Sequence, residues 1–152
     1  MIDSGSNWGS VDRFKCNPRK NWVNRYRGFR SAKNGVVRIN ARNVRFEEVG
    51  NLNSEQTVVL LKGNHSSLES WAQQISVFDL SDYRVILPDN SEWLQGRSAH
   101  SNDSLSRFAR DLKELLEFLD QTRPVHIIGN TLCCLVATRF ALDYPCCVKS
   151  LC

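Results

Sequence analysis

The feature that most constrains this chain is an alternation in which short, fully apolar runs take turns with stretches of helical spacing. Thr57 to Leu61 (TVVLL), Tyr83 to Leu87 (YRVIL) and Val125 to Ile128 (VHII) are rich in β-branched residues on consecutive positions, which marks strands buried on both faces. Lys62-Gly63-Asn64 ends the first run and Pro88-Asp89 the second. Between the second and third, Leu105, Phe108, Ala109, Leu112, Leu115, Leu116 and Leu119 recur at three- and four-residue steps. Arg107, Arg110, Asp111, Lys113 and Glu114 take the other face, so a helix is predicted here. Leu68, Trp71, Ala72 and Ile75 predict another helix after the first strand, with Ser67 and Ser70 at its start. Leu132 to Leu142 predicts a third, stopped at Tyr144-Pro145, and Val148 to Leu151 a further strand. Val36 to Phe46 alternates more loosely, predicting one or two antiparallel strands and a turn; Asn90 to Asn102 is polar and predicts a loop.

Strands alternating with helices imply right-handed crossovers and an α/β fold: a mostly parallel sheet with helices on both faces. Ligands in such sheets bind beyond the carboxyl ends of the strands. Two turns therefore become candidates, Lys62 to Ser67 and Gly129 to Cys133.

Charge divides the chain. Of the 20 basic and 16 acidic residues, eleven and two fall in residues 1–45, about +9, which leaves nine against fourteen, or −5, for the rest. Residues 1–35 read as a basic, loosely ordered arm and residues 36–152 as the folded domain. Trp22, Tyr26 and Phe29 lie among Arg25, Arg27 and Arg30, a mixture suited to stacking on bases. The plainer reading, a solvated extension with aromatics packed back on the body, outweighs nucleic-acid binding, with an organelle transit segment between them. Hydrophobic residues at 41% and charged residues at 24% argue against disorder, and no apolar run reaches membrane-spanning length, so a soluble, cytoplasmic protein is expected. Cysteine occurs six times, as adjacent pairs (Cys133-Cys134, Cys146-Cys147) and singly at Cys16 and Cys152, without C-x-x-C or a His-containing zinc spacing. Reduced thiols and no metal or other cofactor are expected.

Several phrases, in order, resemble the α/β-hydrolase family. TVVLLKGNHSSLESW is similar to its strand, oxyanion loop and following helix, with Lys62-Gly63 where His-Gly is usual. YRVILPD resembles the next strand, LQGRS the end of the glycine loop, and VHIIGNTLCCLVATRFALDYP the strand, nucleophile elbow and helix. The resemblance covers roughly two thirds of the chain and implies a truncated α/β-hydrolase fold. It places Thr131 in the nucleophile slot of Gly129-Asn130-Thr131-Leu132-Cys133, with Cys133 where glycine is usual. It assigns the oxyanion donors to the backbone N–H groups of Asn64 and Leu132 and the pocket to Lys62, Gly63, Gly129, Asn130 and Cys133.

The implied machinery is incomplete. The family's acid and histidine follow the nucleophile, yet His65, His100 and His126 all precede Thr131. His65 is the candidate base; His126 reads as a packed strand residue, Lys62 as a surface lysine at a strand end, and Cys133 and Cys134 as core thiols rather than nucleophiles. The expected function is that of an ester- or amide-hydrolase relative with little or no activity alone. The alternatives are a pseudoenzyme that binds a small acyl or carbonyl ligand or a protein partner, and a hydrolase completed by a second chain. With the family's later strands lacking, the elbow strand is expected at an exposed sheet edge, open to self-association or a partner.

Overall fold

The structure is a computed structural model that describes residues 32–63, 68–89 and 102–152. The arm before residue 32, the loop with Asn64, His65 and Ser67, and the segment with His100 lie outside the described residues.

Strands β1 (Ala32–Ile39) and β2 (Arg42–Gly50) form an antiparallel hairpin in which Ile39 faces Arg42. Its two turn residues, Asn40 and Ala41, have φ of 48° and 65°. Positive φ at both central positions matches the right-handed twist of the flanking strands. The first strand begins four residues before the expected boundary at Val36. The basic stretch around Lys33 therefore belongs to the sheet.

Strands β3 (Gln56–Leu61), β4 (Tyr83–Asp89), β5 (Val125–Gly129) and β6 (Val148–Leu151) complete a six-stranded sheet ordered β1-β2-β4-β3-β5-β6. Strands β4, β3, β5 and β6 run parallel, and β2 joins β4 antiparallel. The sheet is therefore mixed, parallel through its centre with an antiparallel hairpin on one side. The expected edge position of the elbow strand is corrected: β5 is flanked by β3 and β6, and β6, mostly exposed, forms the edge. A four-residue strand that follows Pro145 is long enough to cover β5, because the Pro145–Cys147 turn returns the chain beside it.

Helix α2 (Asn102–Phe118) lays the predicted leucine stripe on one sheet face, and α3 (Leu132–Asp143) packs beside it through Cys133, Val136, Ala137 and Phe140. The other face is covered differently from expectation. The helix predicted after β3 is a 3-10 turn, Leu68–Trp71, followed by the single turn α1 (Ala72–Ile75). Ser76 ends it by turning its hydroxyl back onto the Gln73 carbonyl, a local alternative to a further helical turn. Trp71 and Ile75 still cover Val49, Val58, Leu60, Val85 and Leu87.

Asp111, fully buried on α2, reaches the hairpin turn: Asn40 Nδ2 donates to its Oδ1 at 2.8 Å, and Arg42 Nη1 lies 3.5 Å from its Oδ2. Burial pushes this carboxyl above the usual aspartate value of about 3.9, and the Asn40 hydrogen bond only partly opposes it. The native chain thus binds the proton more tightly than the unfolded chain. Stability from this group is present at acid pH and is lost as pH rises from about 4 through the raised native value. Asp111→Asn is expected to flatten the decline in urea midpoint above pH 4; an unchanged profile would refute the assignment.

Candidate functional site

The carboxyl ends of β3 and β5 bring together Lys62, where the first turn singled out by the sequence begins, and the second, Gly129 to Cys133. Between β5 and α3, Thr131 has φ 54° and ψ −121°. A β-branched residue at positive φ is a conformational outlier, and such strain persists only where surrounding structure enforces it. Four hydrogen bonds enforce it here. Asn130 N donates to Leu61 O at 3.2 Å, Gly129 N donates to Cys152 O at 2.9 Å, and the amides of Cys133 and Cys134 close the first helical turn on the carbonyls of Asn130 and Thr131.

Gly129 supplies the space. A Cβ there would lie 2.8 Å from Cys133 O and 3.0 Å from Cys134 N, both backbone atoms of the helix that turns over it. Gly129→Ala is expected to lower stability by about 1–3 kcal/mol, the usual range for overpacking. Thr131→Gly should have the opposite sign. Relief of about 1–3 kcal/mol of strain exceeds glycine's entropic penalty of about 0.5–1 kcal/mol, for a net gain near 1 kcal/mol by urea unfolding. A loss of stability in that variant would show that Thr131 is not strained.

Cys133 is wholly buried, and its Sγ donates to Lys62 O at 2.9 Å. The Cβ at this position is accommodated because the thiol turns toward the end of β3. Lys62 departs from its expected place at the surface. It is 4% exposed, and its Nζ lies 3.3 Å from Asp89 Oδ1 at the end of β4. Strand register explains the pair: Gln56 faces Tyr83 and Val59 faces Ile86, an offset that carried forward sets Lys62 opposite Asp89. Asp89 was missed as a site residue because its sequence signal, following Pro88, is that of a turn. Gly63 is buried beside Lys62, while Asn64 and His65 lie outside the described residues.

Thr131 is exposed, and its Oγ1 donates to Asn130 O at 2.8 Å. Leu132 opens α3, so its amide is among the first four N–H groups that a helix leaves free of internal partners. His126 lies near the other end of β5, five residues from Thr131, or roughly 16 Å along an extended chain. Its ring is engaged there with Ser150 and Gln56. Five cysteines are free among the described residues; of these, Cys134, Cys146 and Cys152 are exposed rather than core-facing. No described helix is long and apolar enough to cross a membrane.

Comparison with known proteins gives the family and the fold. Over 94 residues the chain is 38% identical to a 2-hydroxy-6-oxononadienedioate/2-hydroxy-6-oxononatrienedioate hydrolase of Paraburkholderia xenovorans (strain LB400), covering 59% of this chain and 32% of that protein. A similarly named hydrolase of Pseudomonas putida is 33% identical over 107 residues, covering 68% of this chain and 36% of its own length. The chain thus spans about a third of the length of the curated relatives it matches. Among solved structures, epoxide hydrolase A of Mycobacterium thermoresistibile superposes with a TM-score of 0.64 at 25% identity, over 80% of this chain and 38% of that one. Naproxen esterase of Bacillus subtilis gives 0.64 at 24% identity, over 80% and 42%. The family model for the alpha/beta hydrolase fold matches residues 56–152, from the first parallel strand to the last residue, and the chain belongs to that family.

Proposed function

We propose that these 152 residues carry the nucleophile and oxyanion side of an acyl-transfer site, with Thr131 in the nucleophile slot, and that they do not turn over esters through Thr131 unaided. The observation that carries this reading is the Thr131 backbone, φ 54° and ψ −121°, poised between β5 and α3. That strained strand-to-helix turn is the device by which the family holds a hydroxyl clear of the sheet. The oxyanion donors in this reading are the amides of Leu132 and Asn64, and Lys62, Gly63, Gly129, Asn130 and Cys133 form the pocket wall. The ligand class is a small acyl or carbonyl compound, in keeping with relatives whose names specify oxo-dioic acids.

Inactivity through Thr131 follows from its hydrogen bonding. The hydroxyl is spent on Asn130 O, no histidine among the described residues is beside it, and a threonine without a positioned base is a weak nucleophile. His65 follows Lys62-Gly63-Asn64 in the sequence, and it serves as base only if the chain after β3 brings it to Oγ1. The test is p-nitrophenyl acetate hydrolysis by the purified chain beside Thr131→Ala and His65→Ala. Equal rates in all three are expected. Turnover that disappears with Thr131→Ala would overturn the inactive reading, and its loss with His65→Ala as well would identify the base.

A hydrolase completed by a second chain is the other reading, favoured by β6, which has no outer neighbour among the described residues, and by exposed Leu151 on it and Leu135 and Leu142 on α3. An unpaired strand flanked by apolar residues invites a further strand. Under this reading, supplying the remaining family strands and histidine as a separate polypeptide produces Thr131-dependent turnover.

A further inference from the structure

At the end of the sheet opposite Thr131, a groove of about 640 Å³ is lined by Gln56, His126 and Lys149 together with Asn51, Glu55 and Asp82. Ser150 stands at its side on the edge strand, exposed, with Oγ 2.7 Å from His126 Nδ1. The hydrogen-bond partners bear on which ring nitrogen of a neutral His126 holds the proton. Gln56 Oε1 accepts from Lys149 Nζ at 2.6 Å, and an ammonium can only donate, so the Gln56 atom facing it is the oxygen. The same oxygen lies 3.3 Å from His126 Nε2. In the neutral ring that nitrogen carries the hydrogen, which leaves the Nδ1 lone pair to accept the Ser150 hydroxyl.

We propose that Ser150 and His126 form a second reactive pair, oriented by Gln56, in which Ser150 is acylated by small activated esters independently of Thr131. A hydroxyl paired with an imidazole whose far nitrogen is itself held is the general arrangement for activating serine. Burial and the neighbouring Lys149 ammonium both lower the proton affinity of His126, which keeps it neutral and able to accept a proton at pH 7. In the step, Ser150 Oγ forms a bond to the acyl carbon while its proton passes to His126 Nδ1. The carbon–oxygen bond to the leaving group then breaks, the phenolate or alkoxide departs with the electron pair, and the imidazolium returns its proton to solvent or to that anion.

The pair owes its existence to an irregularity in the ladder. Val125 faces Val148, but His126 faces Ser150, so one residue of β6 is passed over and Ser150 comes onto the same face as His126. With regular pairing Lys149 would sit opposite the histidine instead.

The test is p-nitrophenyl acetate labelling of the full chain, read by intact mass and peptide mapping, with Ser150→Ala, His126→Gln and Thr131→Ala in parallel. Acetylation at Ser150 is expected, absent in Ser150→Ala, slowed about a hundredfold in His126→Gln, and unchanged in Thr131→Ala. Acetyl groups found only on Lys149 or Thr131, no adduct at all, or a Ser150 rate insensitive to His126→Gln would each overturn it. Because the adduct is located by residue, failure here leaves the reading of Thr131 untouched, and the reverse also holds.

Discussion

Gly50→Ala is expected to cost about 3–5 kcal/mol, enough to remove much of the folding free energy of about 5–15 kcal/mol usual for a domain. Gly50 ends β2 at φ +88°, where a side chain is strained whatever space is available. Space is also lacking. An added Cβ would lie 2.2 Å from the Tyr83 carbonyl oxygen and 3.1 Å from that of Leu80. The Tyr83 oxygen cannot retreat without loss, because it accepts from Asn51 N at 3.0 Å and Tyr83 begins the neighbouring strand. Backbone strain of about 1–3 kcal/mol therefore adds to a packing penalty of similar size. Urea unfolding of the purified variant measures the sum; a loss below about 1 kcal/mol would mean that β2 ends differently.

Arg84→Met is expected to cost about 3–5 kcal/mol for a different reason, the stranding of a buried charge. Glu48 is wholly buried in β2, and Arg84, 7% exposed in β4, holds its Oε2 through both Nε and Nη2. The guanidinium also donates to Leu119 O at 3.0 Å and Gln121 Oε1 at 3.2 Å, tying the end of α2 to the sheet. Lys33 Nζ, 3.6 Å from Glu48 Oε1, is too exposed to replace it. Removing Glu48 as well separates charge from packing. The double variant Glu48→Leu/Arg84→Met should recover at least about 2 kcal/mol of the loss, since a hydrophobic pair of similar volume often matches a buried ion pair. Additive losses in the double variant would show that packing, not stranded charge, carries the effect.

Some of this was legible in the order of residues. The strands β3, β4 and β5, the leucine stripe of α2 and the turn at Gly129 all follow from local patterns, because periodicity and β-branching act over a few neighbours. The same locality explains what was misread. Lys62 looks like a surface lysine at a strand end, yet strand register delivers Asp89 from 27 positions away to pair with it. His126 looks like an isolated strand histidine, yet an irregular rung gives it Ser150 as a neighbour.

By itself, the sequence determined the α/β class, the run of parallel strands and the position of the strand-to-helix turn at Gly129 to Cys133. The tertiary structure alone decided that Thr131 sits at φ 54° with its hydroxyl turned to Asn130, that β6 rather than β5 forms the edge, and that the one described histidine lies at the far end of its strand. Apolar periodicity encodes which faces are buried, a short-range property. Which polar groups meet depends on register and connection geometry, and these are set only when distant segments pack together.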